Sequence, residues 1–559
     1  MDIGLGRSAV SLESRFVDLD TPVLLTGIQA LVRLVLEQAR LDRAAGLATA
    51  GLVSGYRGSP LGGLDLELWR RQKLLEAHDV RFQPGLNEDL AATILYGSQQ
   101  LDAFPGKTVD GVFGVWYGKG PGVDRTGDAF HCGNMLGTAS RGGLLAVAGD
   151  DHGAHSSTYP HQSEYVFQSC FMPVLNPAST QELIDFGLAG IALSRYSGLW
   201  VALKTTAETV EQAATITVPS NRSFSTPAIV RPPYGFNYDP HMRFPADRAD
   251  LERRVAEERL PAALAWARAN RLDRLVRGEA DASVGLVTVG KAHEDTLHAL
   301  RTLGLDRCPQ IAVYKVAMTW PLETEGLRDF ARGKRALLVI EEKRGFVEQQ
   351  IRDALYHLPA GARPEVAGKT DAAGAPLISQ LMELSPEIIA GGLARFLIAA
   401  GLDVAEPPAP KLPQRPTGLL NRSPAFCAGC PHGTSTRVPE GSFATAGIGC
   451  HFMALAEGDQ TRTFSHMGAE GVPFIGMAPF IGAQHAFANL GDGTYAHSGS
   501  LAVRQAVAAK ARITYKILFN DAVAMTGGQP AEGHLTVPMI AAQMAAEGVA
   551  RIAVVAEAA

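Results

Sequence analysis

The chain has little of what holds a small secreted domain together or anchors a protein in a membrane. Its 559 residues include six cysteines, too few for a disulfide scaffold. No stretch approaches the ~18 consecutive apolar residues of a membrane-spanning helix. Charge of either sign is not in excess: 51 basic against 57 acidic side chains leave a net charge of -6, which excludes the basic field that nucleic acid requires. Residues 1–17 alternate charged and apolar positions and lack the apolar core of a secretion signal. These absences describe a cytoplasmic protein with reduced thiols and neither nucleic acid nor membrane as a partner.

What is present is a large soluble core. Hydrophobic residues make up 46% and charged residues 19% of the chain, a globular balance, and the length predicts three to five domains at ~100–200 residues each. Short β-rich apolar runs alternate with helical patterns from Thr21 to about Thr217, among them Gly51 to Ser54, Val109 to Tyr117, Leu144 to Ala148 and Leu199 to Lys204. That rhythm predicts a parallel sheet built from βαβ units. Pro219 to Pro245 carries six prolines and no period, the mark of a linker or draped loop.

A second α/β pattern opens at Ser283 and recurs at Ile311 to Val316 and Ala336 to Ile340. Pro407 to Pro416, five prolines in ten residues, reads as a semi-rigid spacer. A third α/β region follows, closing on a helix from Pro538 to Val549 and an apolar run, Arg551 to Ala556, expected to be a strand. The fold class is therefore α/β, with three open, mostly parallel-sheet domains: 1–217, 279–405 and 419–559, joined by 218–278 and 406–418.

The most specific local signal is Gly491-Asp492-Gly493, followed after 26 intervening residues by Asn520. A helical stretch, Gly499 to Ala511, and a β-rich run, Ile513 to Phe519, lie between. One right-handed crossover returns Asn520 to the carboxyl edge beside Asp492. Two oxygen-bearing side chains then share a crevice, the donor type that Mg²⁺ on a diphosphate takes, and glycines let the backbone approach the phosphates. A plain Asp-Gly surface turn is the bland alternative. The spacing to Asn520 favours the metal–diphosphate reading, which is the thiamine diphosphate fingerprint.

Cys427-x-x-Cys430 with Cys450 after nineteen intervening residues supplies three thiols, compatible with an iron–sulfur cluster or, with His432 or His451, a Cys₃His zinc site. Cys132, Cys170 and Cys308 read as small core or loop residues. Arg57 is a candidate for bidentate carboxylate pairing. His152, His155 and His161 are too irregularly spaced for a metal motif and read as a polar loop.

Ser54-Gly-Tyr-Arg-Gly-Ser-Pro-Leu-Gly-Gly63, Phe82-Gln-Pro-Gly-Leu-Asn-Glu-Asp89, Trp116-Tyr-Gly-Lys-Gly-Pro-Gly-Val-Asp124, Cys427-Ala-Gly-Cys-Pro-His432, Met467-Gly-Ala-Glu-Gly471 and Asn520 to Pro530, in that order, resemble the 2-oxoacid:ferredoxin oxidoreductases. The likeness is to the indolepyruvate branch in its long bacterial single-chain form, of which this chain would be the N-terminal part. The resemblance implies a thiamine diphosphate-binding fold, with 1–217 binding the pyrimidine, 279–405 similar to a transketolase C-terminal domain and 419–559 binding the diphosphate. Glu88 then matches the glutamate that shares a proton with N1′ of the aminopyrimidine, and Ser59 the hydroxyl near the substrate carboxylate.

Gly491, Asp492, Gly493, Asn520, Ala522, Thr526 and Glu470 would bind the cofactor, with Asp492, Asn520 and the Ala522 carbonyl on Mg²⁺. Cys427, Cys430 and Cys450 would hold a [4Fe-4S] cluster whose fourth ligand lies outside this chain. The implied reaction converts an aryl 2-oxoacid, indolepyruvate above all, with CoA to an acyl-CoA, and passes electrons to ferredoxin. A homodimer and a further C-terminal part or second subunit are expected. A non-oxidative thiamine-dependent decarboxylase or carboligase and a non-catalytic assembly subunit are the alternatives.

Overall fold

The computed structural model describes residues 11–243, 245–405, 407, 424–458 and 460–556. Apart from Pro407, the proline-rich segment 407–416 lies outside them. The chain divides into two compact units, Met1–Pro84 with Glu88–Leu412, and Gly85–Asn87 with Pro413–Ala559. Among the described residues no helix is long and apolar enough to cross a membrane.

The first unit contains two open sheets and a two-stranded antiparallel pair, Pro22–Thr26 with Ala213–Thr217. In the larger, β1 (Ala50–Gly55), β2 (Val112–Lys119), β3 (Leu144–Asp150) and β4 (Val201–Thr206) lie side by side in parallel, flanked by the short strands Val80–Phe82 and Val174–Leu175. Every residue of β3 and β4 is buried. Such strands lie in the sheet interior with both faces covered, which is why they read as unbroken apolar runs rather than alternating ones. Helices fill the faces. Gly27–Ala44 starts at a capping box in which Thr26 and Gln29 satisfy each other's backbone donors, and Thr180–Ser197 ends on Gly198 in the left-handed region at φ +76°.

The smaller sheet has β5 (Val284–Val289) at its centre between β6 (Ile311–Val316) and β7 (Ala336–Ile340), all parallel, with short edges at Arg274–Arg277 and Glu365–Ala367. The three central strands have the bounds expected from their apolar runs. The edges are too short and too exposed to stand out. One strand crosses over: Met318–Trp320, which follows β6, pairs antiparallel with Val174–Leu175 of the larger sheet.

The second unit holds a four-stranded parallel sheet, Thr461–Phe464, β8 (Ala444–Ala446), β9 (Ala486–Gly491) and β10 (Ile513–Leu518), in that order. The helix expected over 499–511 is shorter, Ser500–Ala508, and a π-turn at Tyr495–Gly499 precedes it. The helix Val537–Ala546 forms. The strand expected at Arg551 to Ala556 does not: the run is irregular and exposed. An apolar β-rich run becomes a strand only when a neighbour takes up its ladder, and among the described residues it has none.

Candidate active site

In open parallel sheets ligands bind beyond the carboxyl ends of the strands, where consecutive connections leave in opposite directions. The larger sheet has such a point between β1 and β2, because the chain passes from β1 to Val80–Phe82 on one side and then to β2 on the other. The turn after β1 carries Arg57 and Ser59. After β2, Lys119-Gly-Pro-Gly leads into α1 (Gly120–Leu136), with Pro121 in the first turn, where its missing N–H costs nothing. Glu88 opens the helix Glu88–Ser98.

Glu88 is buried, 7% exposed, so it is not a solvated helix residue. The indole N–H of Trp116 donates to its backbone carbonyl at 3.0 Å. Its side chain lies directly on Gly122: a Cβ there would stand 2.6 Å from Glu88 Cγ. The stem of Lys119 crosses the β1 turn in the same way, 2.7 Å from where a Cβ on Gly58 would be. Two glycines thus make room for a carboxylate and an ammonium. Burial lowers the Lys119 pKa, opposed by the charges of Asp151 and Glu88, which places the amine within electrostatic reach of both.

Arg57 does not wait for a ligand carboxylate as the sequence suggested. Its Nε lies 2.9 Å from Asp65 Oδ2, with both side chains buried. A buried carboxylate that close needs its cation. The three histidines do three separate things. His152 is sealed inside, 3.8 Å from Glu342, and burial followed by the charge of Lys204 keeps it neutral. His155 is exposed beside Glu383 at 3.2 Å. His161 spans Asp124 at 2.8 Å and Asp150 at 3.4 Å; burial pulls its pKa down, but those two carboxylates push it up to about 9.

Behind His161, Asp150 also faces Lys204 at 3.6 Å, and Lys204 reaches Glu164 at 2.5 Å. The equivalent crevice of the smaller sheet, between β5 and β7, is closed. His152, Glu164, Lys204, Lys291, Glu341 and Glu342 leave a cavity of about 10 Å³, room for one water.

In the second unit the same topological point falls between β8 and β9. Asp492 follows β9 and is 6% exposed. Its Oδ1 accepts the Gly493 N–H at 2.9 Å, and its Oδ2 accepts the N–H groups of Asn520 and Asp521 at 2.9 and 2.6 Å. Asn520 Oδ1 accepts the Ala522 N–H at 3.1 Å. The expected pair is therefore brought together, with the loop after β10 folded onto the carboxylate. Thr526 donates to the Gln529 side chain at 2.9 Å, holding the same loop.

Glu470 is wholly buried; it accepts the Gly468 N–H at 2.9 Å and stands 3.5 Å from His451. A Cβ on Gly447 would be 1.9 Å from its Oε1, so only glycine fits beside it. Among the described residues, buried polar atoms of Thr445, Ser465 and Asn489 have no hydrogen-bond partner, and those of His451 and Glu470 face each other at 3.5 Å. Native interiors rarely leave such a group unsatisfied, so a cluster of them at one sheet marks a place built for a polar ligand.

Cys427 and Cys430 lie on one tight turn, with the Cys430 N–H on the Cys427 carbonyl at 3.0 Å, and Cys450 opens the 3₁₀ segment Cys450–Leu455. Burial raises the Cys450 pKa, then the charges of Cys430, Cys427 and Asp492, so the three thiols are neighbours of one another and of the Asp492 loop. Among the described residues no three His, Cys, Asp or Glu side chains converge closely enough to hold a metal ion as they stand. His451, one of the two histidines considered for a zinc site, turns toward Glu470 instead.

Residues 274–407 match the family model described as an indolepyruvate oxidoreductase domain. The chain is 25% identical over 505 residues to indolepyruvate oxidoreductase subunit IorA of Methanothermobacter marburgensis, covering 88% of this chain and 75% of that one. This chain is similar to the IorA subunits. The Pyrococcus horikoshii IorA is 23% identical over 91% of this chain and 76% of its own, and that of Archaeoglobus fulgidus 27% over 70% and 61%. Among solved structures, a 2-oxoglutarate:ferredoxin oxidoreductase from Magnetococcus marinus aligns at TM-score 0.46 and 13% identity, covering 67% of this chain and 65% of that one. A split-gene transketolase aligns at 0.39 and 13%, covering 67% and 98%.

Set beside the IorA relatives, the donor sets suit the expected groups. A carboxylate, an amide oxygen and a loop carbonyl are the hard donors of Mg²⁺, and three thiols the soft donors of an iron–sulfur centre. Sequence reasoning reached Lys119 and Gly122 only as letters of the run Trp116 to Asp124, and Gly447 not at all. The one local cue to the first two was a Gly-Pro-Gly helix start directly after an apolar run.

Proposed function

We propose that this chain carries out the oxidative decarboxylation of an aryl 2-oxoacid, indolepyruvate above all, in which the acid and CoA give an acyl-CoA and CO₂ while two electrons pass to ferredoxin. The observation that carries the reading is the similarity to IorA subunits over 505 residues, which runs through both units. That these relatives are subunits supports a second chain as partner, and a homodimer of the whole is part of the proposal.

Thiamine diphosphate, when bound, supplies the carbanion and the electron sink that decarboxylation of a 2-oxoacid needs. Asp492, Asn520 and the Ala522 carbonyl would hold its Mg²⁺, with Gly491 and Gly493 against the diphosphate and Thr526 and Glu470 bracing the loops around it. Glu88 would hold a proton at N1′ of the aminopyrimidine, a role its burial against Gly122 suits. Ser59 would face the substrate. Cys427, Cys430 and Cys450 would bind three irons of a [4Fe-4S] cluster, the fourth ligand coming from elsewhere in the assembly.

The test is anaerobic reduction of ferredoxin by the assembled protein with CoA and a panel of aryl and alkyl 2-oxoacids. Acyl-CoA formation with an aryl preference is expected. An aldehyde product formed without CoA or an electron acceptor would point instead to a non-oxidative decarboxylase.

A further inference from the structure

The cations around Glu88 differ sharply in how far they are already engaged. Arg57 is held by buried Asp65, Lys204 lies between Glu164 and Asp150, and His161 lies between Asp124 and Asp150. His152 is sealed and neutral. Lys119 is the exception. Among the described residues the one hydrogen bond of its ammonium is to the Ser156 carbonyl, at a long 3.4 Å. Asp151, the acid with the larger effect on it, also accepts the backbone N–H groups of His155 and Ser156 on its two carboxylate oxygens, at 2.9 and 2.8 Å.

Position adds to this. Lys119 is the last residue of β2 and the N-cap of the 17-residue α1, whose first amides have no side-chain cap. An anion in front of this turn would meet an ammonium and the positive end of a helix together. The Lys119 stem crosses Gly58, which puts its amine beside the Ser59 turn, at the switch point of the sheet and within reach of Glu88.

We infer that Lys119 receives the carboxylate of the 2-oxoacid substrate, the task first suggested for Arg57. Its amine would fix the acid end of the substrate at the β1–β2 crevice, and Glu88 would work on the cofactor alongside. This rests on the thiamine-dependent reading above.

The probe is indole-3-lactate, a carboxylate without the reactive ketone, titrated calorimetrically into the full assembled protein with its methyl ester as the uncharged control. The wild type is expected to favour the acid over the ester by about tenfold or more. Lys119→Met should abolish that preference while leaving ester affinity within about twofold, and Lys119→Arg should restore most of it. Unchanged preference for the acid in Lys119→Met overturns the assignment. Thiamine diphosphate with Mg²⁺ is titrated into the same proteins: absence of binding to the wild type brings down the cofactor reading, and the acid–ester comparison still decides the role of Lys119.

Discussion

His161 gives the sharpest quantitative test, because its ionisation is tied to two carboxylates of different burial. Its ordinary pKa of 6.5 is pushed up to about 9 in the fold. The side chain is 17% exposed and Asp150 is fully buried, so solvent screens the pair little. A folded-state value above the unfolded one means that the imidazolium stabilises the fold in full below pH 6.5. That contribution is lost as pH rises through about 9. Linkage then assigns it about 2.6 kcal/mol at pH 7 and about 0.4 kcal/mol at pH 9, a loss of about 2 kcal/mol over that window.

The perturbation is His161→Gln, which removes the charge but keeps a donor. It strands no buried anion: Asp150 retains the Ser163 N–H at 2.9 Å and the Lys204 ammonium at 3.6 Å. All five tryptophans, Trp69, Trp116, Trp200, Trp266 and Trp320, belong to the first unit. Urea unfolding followed by tryptophan fluorescence therefore reports the unit that contains His161. Other groups also titrate between pH 7 and 9, so the quantity to compare is the wild-type stability minus that of the variant. It should shrink by about 2 kcal/mol from pH 7 to pH 9. A difference that stays constant to within about 0.5 kcal/mol, at the same denaturant slope, would refute the bridged imidazolium.

Three further outcomes are expected. Glu88→Gln should bind thiamine diphosphate and Mg²⁺ with near-native affinity in a calorimetric titration yet lose about 10²–10⁴-fold in turnover, since an amide cannot share the proton; undiminished turnover removes Glu88 from the mechanism. Gly122→Ala places a Cβ 2.6 Å from Glu88 Cγ, so turnover should fall about 10²-fold with an unchanged far-UV circular dichroism spectrum; a native rate would mean that the position of Glu88 is immaterial. Asp492→Ala frees the N–H groups of Asn520 and Asp521; limited proteolysis should cut the segment after Asn520 faster, and Mg²⁺-dependent cofactor binding should weaken by more than about tenfold.

Much of the fold was legible because its central strands are buried on both faces. Val284–Val289, Ile311–Val316 and Ala336–Ile340 have no polar alternation to confuse their bounds. Val174–Leu175 and Met318–Trp320 were not legible, because two or three residues carry no period: the first takes its ladder from Val201–Thr206 and Met318–Trp320, the second from Val174–Leu175. Arg551 to Ala556 shows the converse: composition suited to a strand yields none without a partner. Asp492 and Asn520 were found by spacing, since one crossover of ordinary length dictates their meeting. Glu88 has no such local signal and came only from resemblance.

The three mostly parallel sheets also separate a crevice from a site. Each has a topological switch point, at β1–β2, β5–β7 and β8–β9, so topology alone nominates three. At the first, Gly58 and Gly122 leave the space into which Lys119 and Glu88 extend; at the third, Gly447 does so for Glu470. At the second, Gly290 is met by the Asn176 amide, and Lys291, Glu341 and Glu342 fill what remains. A glycine at a strand end opens a site only where a reactive side chain from another element occupies the room it leaves. That is a property of pairs distant in sequence, Gly58 with Lys119 or Gly447 with Glu470, and no scan of the chain's 59 glycines one at a time can see it.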